Sequence, residues 1–239
     1  MTKVLVFAGP TLPSSADRAL LSATYLPPAA QGDLFRAARL HKPDVIGVID
    51  GYFHLVPSIR HKEVLWAMAE GIHVFGSASM GALRAAELSS FGMVGVGAIF
   101  EAYAQGELRD DDEVAVIHGP QELDYPALSD AMIDIRATLR AASDAAVISS
   151  ITGDGLASIA KTLFFQDRSY DRIMETARTS NLPVVELDAL EAWLPGGRVN
   201  QKREDAMLML RTIDDFIASK PPRKSVAYLL EDTYAFDQT

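Results

Sequence analysis

The chain has 239 residues and a mass of 25.9 kDa, which at ~150 residues per domain means one or two domains. Hydrophobic residues make up 49% and charged residues 23%, a balance that excludes disorder for the bulk of the chain. The 22 basic and 32 acidic side chains leave a net charge of −10, which opposes a general nucleic-acid or anionic-membrane surface. The absence of cysteine excludes disulfides, thiolate nucleophiles and cysteine metal ligands.

Residues 3–8 form a short apolar, β-branched run ended by Gly9-Pro10, the pattern of a buried parallel strand. That turn comes too early for a signal peptide, and no apolar run approaches the ~18–20 residues of a membrane span. The expected location is a reducing cytoplasm. Residues 33–41 read as a helix and residues 44–49 as a second buried strand closed by Asp50-Gly51. Residues 58–70 read as a helix with Gly71 where a left-handed cap belongs. Residues 72–75 are a third strand, residues 82–88 begin another helix, and residues 114–117 supply a fourth strand. The glycine-rich stretch 92–97 reads as a mobile connection. This alternation implies parallel pairing with right-handed crossovers, a flavodoxin-like α/β core over residues 1–125. Helical periodicity then recurs at 129–142, 155–165, 170–179, 187–193 and 201–218. The expected organisation is a helical region over 126–219 and a loosely attached extended tail over 220–239.

Ligands of open parallel sheets bind beyond the carboxyl ends of the strands. Those ends carry Thr11, Asp50, Gly51 and the block Ser77-Ala78-Ser79-Met80-Gly81-Ala82. The block lies between a strand and a helix, as a nucleophile elbow does, with small residues two before and two after Ser79. Amide groups just after Ser79, at Met80 and Gly81, would sit at a helix N-terminus and could receive an oxyanion, carboxylate or phosphate. Three readings of Ser79 stand side by side: a nucleophile, an anion-binding cap, or a plain helix cap. A serine nucleophile needs a base. His61, placed by its spacing to Leu65 and Met68 on the inward face of its helix, is the first candidate, although a satisfied core histidine fits as well. Lys62 is the second side chain of that helix able to serve, and His54, on a loop, is a further candidate base. His73 and His118 are weaker. Asp50 or Glu63 would orient the base. Arg84 and Glu87, three apart, form either a structural pair or a clamp for an anionic carboxyl end. The acidic run 110–113 reads as a solvated turn in preference to a Mg²⁺ site, so no metal and no cofactor are expected.

Taken as a set, Asp50-Gly51-Tyr52-Phe53, His61-Lys62-Glu63, the block from Ala78 to Leu88 and the stretch from Gly95 to Tyr103 resemble the TfuA-like family, as does the stretch from Asp110 to Ala115. The resemblance covers residues 3–120. It implies a partner of a YcaO-type enzyme, which installs peptide backbone thioamides with ATP. It also implies hydrolysis of the C-terminal thiocarboxylate of a ubiquitin-like sulfur carrier to release sulfide. The alternative is a non-catalytic adaptor that binds the YcaO enzyme.

Overall fold

The computed structural model describes residues 2–53 and 56–230 of the chain. These divide into two compact units. One holds residues 2–109, 120–126 and 203 onward; the other holds 110–119 and 127–202. The division differs from a single cut near residue 125, because a seven-residue return and the last long helix both rejoin the first unit.

The first unit is a five-stranded parallel sheet. Its strands are β1 (Val4–Phe7), β2 (Thr24–Leu26), β3 (Val45–Val48), β4 (His73–Ser77) and β5 (Val94–Val96), in the order β2-β1-β3-β4-β5. The register runs Phe7 beside Val48, Val48 beside Gly76 and Ser77 beside Val96. This is the flavodoxin-like order expected from the alternation of elements, with three corrections: residues 24–26 add the edge strand β2, and two further segments differ. Residues 114–117 form no strand; Val114 and Ala115 are buried in the helical unit. The glycine-rich stretch at 92–97 is the edge strand β5 instead of a mobile link. Short strands of three residues leave too little periodicity to be read in advance.

Alternate residues of each strand serve opposite faces. Leu5, Phe7, Ile46, Val48 and Val74 join one core with α2 (Asp33–His41), α3 (His61–Ala69) and α4 (Met80–Leu88). Val4, Val6, Val45 and Phe75 join the other with Ala206, Met209, Leu210 and Ile213 of α10 (Gln201–Ala218). The crossover after β1 contains only α1 (Ser15–Arg18), too short to cover that face, so a helix from the far end of the chain does so. Each fully buried Leu, Ile or Met contributes about 1.5–3 kcal/mol there. Asp17 and Arg203 tie α1 to α10 through two bonds of 2.8 and 2.6 Å. A further helix of this unit, α5 (Ala98–Ala104), is capped by Asp205, whose carboxylate accepts the Ile99 N–H at 2.8 Å. Residues 220–230 are not loosely attached: Lys224 N–H donates to Gly71 O (3.1 Å) and Tyr228 OH to Leu65 O (2.7 Å).

The second unit is helical: α6 (Met132–Asp144), α7 (Ser150–Thr162), α8 (Tyr170–Arg178) and α9 (Val184–Gly197). Met132, Ile135, Leu156, Ile173, Leu187 and Leu190 form its core. Ser149 and Ser169 cap α7 and α8 with their hydroxyls, which fixes where these helices start. Among the described residues no helix is long and apolar enough to cross a membrane.

Candidate functional site

In a parallel sheet the loops after β1, β3, β4 and β5 leave by one edge. The strand order reverses between β1 and β3, where ligands of such sheets bind. Asp50 ties these two loops together. Its carboxylate accepts Gly9 N–H (2.8 Å), Thr11 N–H (3.1 Å) and Thr11 Oγ1–H (2.6 Å), all buried. Asp50 and Thr11 are therefore joined to each other, and among the described residues Asp50 does not reach a histidine. Gly51 leaves room for the Met80 side chain: a Cβ at Gly51 would stand 2.8 Å from Met80 Cγ. Tyr125 arrives from the 120–126 return, and its ring carbon Cγ lies 3.6 Å from the place a Gly9 Cβ would take. Burial pushes the Tyr125 phenol up, and neighbouring Tyr52 adds to the shift; burial likewise raises Tyr52. Both phenols stay protonated donors at neutral pH. The sequence offered no signal for Tyr125, which sits far from the motif blocks.

The elbow at the end of β4 has a specific cause. Ser79 N–H donates to Ser77 O at 2.8 Å, closing a three-residue turn centred on Ala78, whose φ is +66°. A buried alanine in that region stores about 1–3 kcal/mol of strain. The strain is tolerated because α4 is locked against the sheet. A Cβ on Gly81 would come 1.8 Å from Val48 O, and one on Gly76 would come 2.2 Å from Gly81 O. Gly81 N–H donates to Ile49 O at 3.1 Å, so it is a structural contact and no anion donor. The first helical amide, Met80 N–H, has no acceptor among the described residues, and the positive end of α4 backs it. Ser79 is buried, and its hydroxyl makes no capping bond to α4.

The candidate bases fall differently from expectation. His61 is half exposed instead of inward-facing, because it opens α3 as its first residue; its Nε2 lies 2.8 Å from Glu87 Oε2. Arg84 Nη1 donates to the same oxygen at 2.6 Å. Glu87 thus takes the orienting place on His61 that Asp50 or Glu63 was expected to fill. Glu87 lies eight residues beyond Ser79, about 12 Å of helix rise, and neither His61, Asp50 nor Glu63 hydrogen-bonds Ser79. Arg84 also donates from Nε to Ile59 O (2.9 Å) and from Nη2 to Ser58 Oγ (3.0 Å), so two of its three nitrogens hold the loop before α3 and the third holds Glu87. Glu63 is buried; Oε1 accepts Arg60 N–H at 3.1 Å, while Oε2 has no partner among the described residues. Lys62 is exposed on the same turn of α3. His54 lies outside the described residues. His73 reaches Pro222 O (2.9 Å) and His118 reaches Gly119 O (2.9 Å), which leaves both in structural roles.

The acidic run is not a solvated turn. Asp110, Asp112 and Glu113 converge closely enough to hold a cation, and the Lys161 ammonium occupies that place. It lies 3.1 Å from Asp110 and 2.9 Å from Glu113, with Asp112 also in contact. Arg168, fully buried, adds a bond to Asp112 Oδ2 at 2.8 Å. Burial raises the carboxyls of Asp112 and Glu113, but the bonds from Lys161, Arg168 and Arg136 outweigh it and hold both below the ordinary range.

Comparison with curated proteins gives no match. A family model described as TfuA-like protein matches residues 50–169, half of the chain. The match begins at Asp50, contains His61, Ser79 and Arg84, and runs on through the lysine-centred cluster to Ser169, further into the helical unit than the motif blocks reach. The family is associated with YcaO systems that form backbone thioamides. The chain belongs to the TfuA-like protein family.

Proposed function

We propose that the chain acts beside a YcaO-type enzyme as a sulfur-mobilising hydrolase, cleaving the C-terminal thiocarboxylate of a ubiquitin-like carrier. The observation that supports this reading most is the strained turn at Ala78, which sets Ser79 immediately before an amide at the N-terminus of α4 that has no acceptor among the described residues. Strain of this kind clusters at sites of chemistry, and a helix N-terminus favours an anionic ligand. Ser79 Oγ attacks the thiocarboxylate carbon, and Met80 N–H stabilises the oxyanion. The C–S bond breaks, the serine proton ends on sulfur, and HS⁻ departs. Because the leaving sulfur takes that proton, the side chain relaying it need only be a weak base. Lys62, or His61 after moving off Glu87, fills that part. Water then cleaves the ester, giving a carboxylate and restoring Ser79. Carrier and YcaO enzyme are the partners this chemistry requires, in a cytoplasmic setting where sulfide is usable.

A second reading, a non-catalytic adaptor for the YcaO enzyme, draws support from His61, whose Nε2 is held on Glu87 at 2.8 Å, and from Asp50, whose carboxylate is taken up by Gly9 and Thr11. One experiment separates the two. Purified protein is incubated with thiocarboxylated carrier, and the exchange of sulfur for oxygen is followed by mass spectrometry. Ser79→Ala should slow sulfide release about 10²-fold or more while carrier binding persists. Near-normal release in the variant ends the serine mechanism, and no release by the wild-type chain leaves the adaptor.

A further inference from the structure

Residues 120–126 belong to the α/β unit although the chain on both sides of them belongs to the helical one, and of the seven only Tyr125 is buried. Asp124 and Tyr125 hold φ values of +59° and +54°, two consecutive non-glycine residues in the left-handed region, where each is strained. Asp124 Oδ1 meets Arg18 Nη2 at 3.1 Å, and Arg18 Nε donates to Leu12 O at 2.9 Å, which pins the return beside the loop after β1. A strained return that buries one side chain is explained by where it puts that side chain. Tyr125 stands over Gly9, at the point where the strand order reverses.

Tyr52 stands on the other loop of the same crevice. It follows Gly51, which packs on the Met80 side chain, and its N–H donates to Ala29 O at 3.1 Å. A line of neighbours thus runs along the rim from Ser79 and Met80 through Gly51 and Tyr52 to Tyr125. The two ends of this line differ in charge. The Met80 end has the positive terminus of α4. At the tyrosine end, after burial, Asp33 raises the Tyr52 phenol, and Tyr52, Glu122 and Asp124 raise that of Tyr125, against Arg18 alone. An anionic group is drawn to the first end and repelled from the second, where protonated phenols suit the carbonyls of a peptide backbone. We infer that this line is the channel for the peptide end of the acyl substrate. The thiocarboxylate lies at Ser79 and Met80, and the residues before it run past Gly51 to Tyr52 and Tyr125, whose hydroxyls donate to their carbonyl oxygens. The inference rests on the thiocarboxylate reading of Ser79 and adds the residues that position the substrate.

Tyr52→Phe with Tyr125→Phe keeps both rings and removes both hydroxyls. With thiocarboxylated ubiquitin-like carrier as the probe, this double variant should raise KM about tenfold and leave kcat within about twofold, the pattern of two lost hydrogen bonds that hold substrate and transition state alike. Leu123→Ala, an exposed change on the same return, should alter neither. An unchanged KM in the double variant overturns the channel, as does a fall in kcat alone or an equal rise in KM with Leu123→Ala. If the wild type releases no sulfide, the serine reading fails by itself, and the channel is tested by binding: carrier ending in an ordinary carboxylate is titrated by calorimetry. The wild type should then bind about tenfold more tightly than the double variant. Equal affinity, or no binding to the wild type, overturns the channel.

Discussion

The two units differ in how most of their buried carboxylates are used. In the helical unit, charges neutralise one another: Lys161 sits among three carboxylates, Arg168 is buried against Asp112, and Arg136 holds Glu113 with two bonds of 2.9 and 3.0 Å. In the α/β unit, charges mostly hold backbone: Asp50 gathers the amides of Gly9 and Thr11, Arg84 holds Ile59 O, and Asp205 caps Ile99. The α/β unit also keeps what the helical unit lacks. Among the described residues, the buried non-glycine residues with left-handed backbone are Ala78 and Tyr125, both at the carboxyl rim of this unit. Local rules tend to be broken where function lies. The contrast separates a unit whose buried charges neutralise one another from one that carries a strained rim.

The chain's two tryptophans, Trp66 in the α/β unit and Trp193 in the helical unit, report on this contrast separately. The largest effect should come from Arg168→Met. It removes the partner of Asp112 Oδ2 and of the carbonyls of Ala160 and Leu163, to which Arg168 also donates, and should cost about 3–5 kcal/mol in denaturant unfolding followed through Trp193. An unchanged midpoint would mean that the cluster is no keystone of its unit.

Acid should produce the next effect, again in the helical unit. The carboxyls of Asp112 and Glu113 are held below their ordinary values, so their stabilisation is present above the ordinary carboxylate range and is lost as pH falls through the lowered values. Lys161 behaves in the mirror sense. Burial lowers it, but its three carboxylate bonds prevail and push it up to about 12, so its contribution is present below the ordinary lysine value and is lost as pH rises through about 12. Lys161→Met should flatten both limbs of a melting temperature–pH profile; a profile unchanged by the substitution would refute this.

The smallest effect sharpens the α/β side. Ala78→Gly relieves the positive φ and should raise stability by about 1 kcal/mol, less the backbone entropy glycine brings to the unfolded chain. If the strained turn presents Ser79, the same variant should lose carrier hydrolysis while becoming more stable. Stability and activity rising together would detach the strain from the site.

Much of this was legible in the sequence. The buried runs at 3–8, 44–49 and 72–75 became β1, β3 and β4, because continuous apolar β-branched segments between turns have few other solutions in a parallel sheet. The helix at 201–218 has its expected bounds, 201–218. The block around Ser79 could be placed at a strand-to-helix turn from its small residues alone, and its motifs identified the family.

What only the tertiary structure decided follows from contacts at long separation. No local signal tells that α10 covers the sheet face α1 leaves bare, that Tyr125 returns to lie over Gly9, or that Lys161 enters the acidic run from a helix 49 residues away from Asp112. His61 has the spacing of an inward residue, yet it opens its helix, where a side chain is free to turn outward to Glu87. Periodicity specifies which face of an element is apolar; which partner meets a polar group is set by the packing of the elements, and that is where the site residues were redistributed.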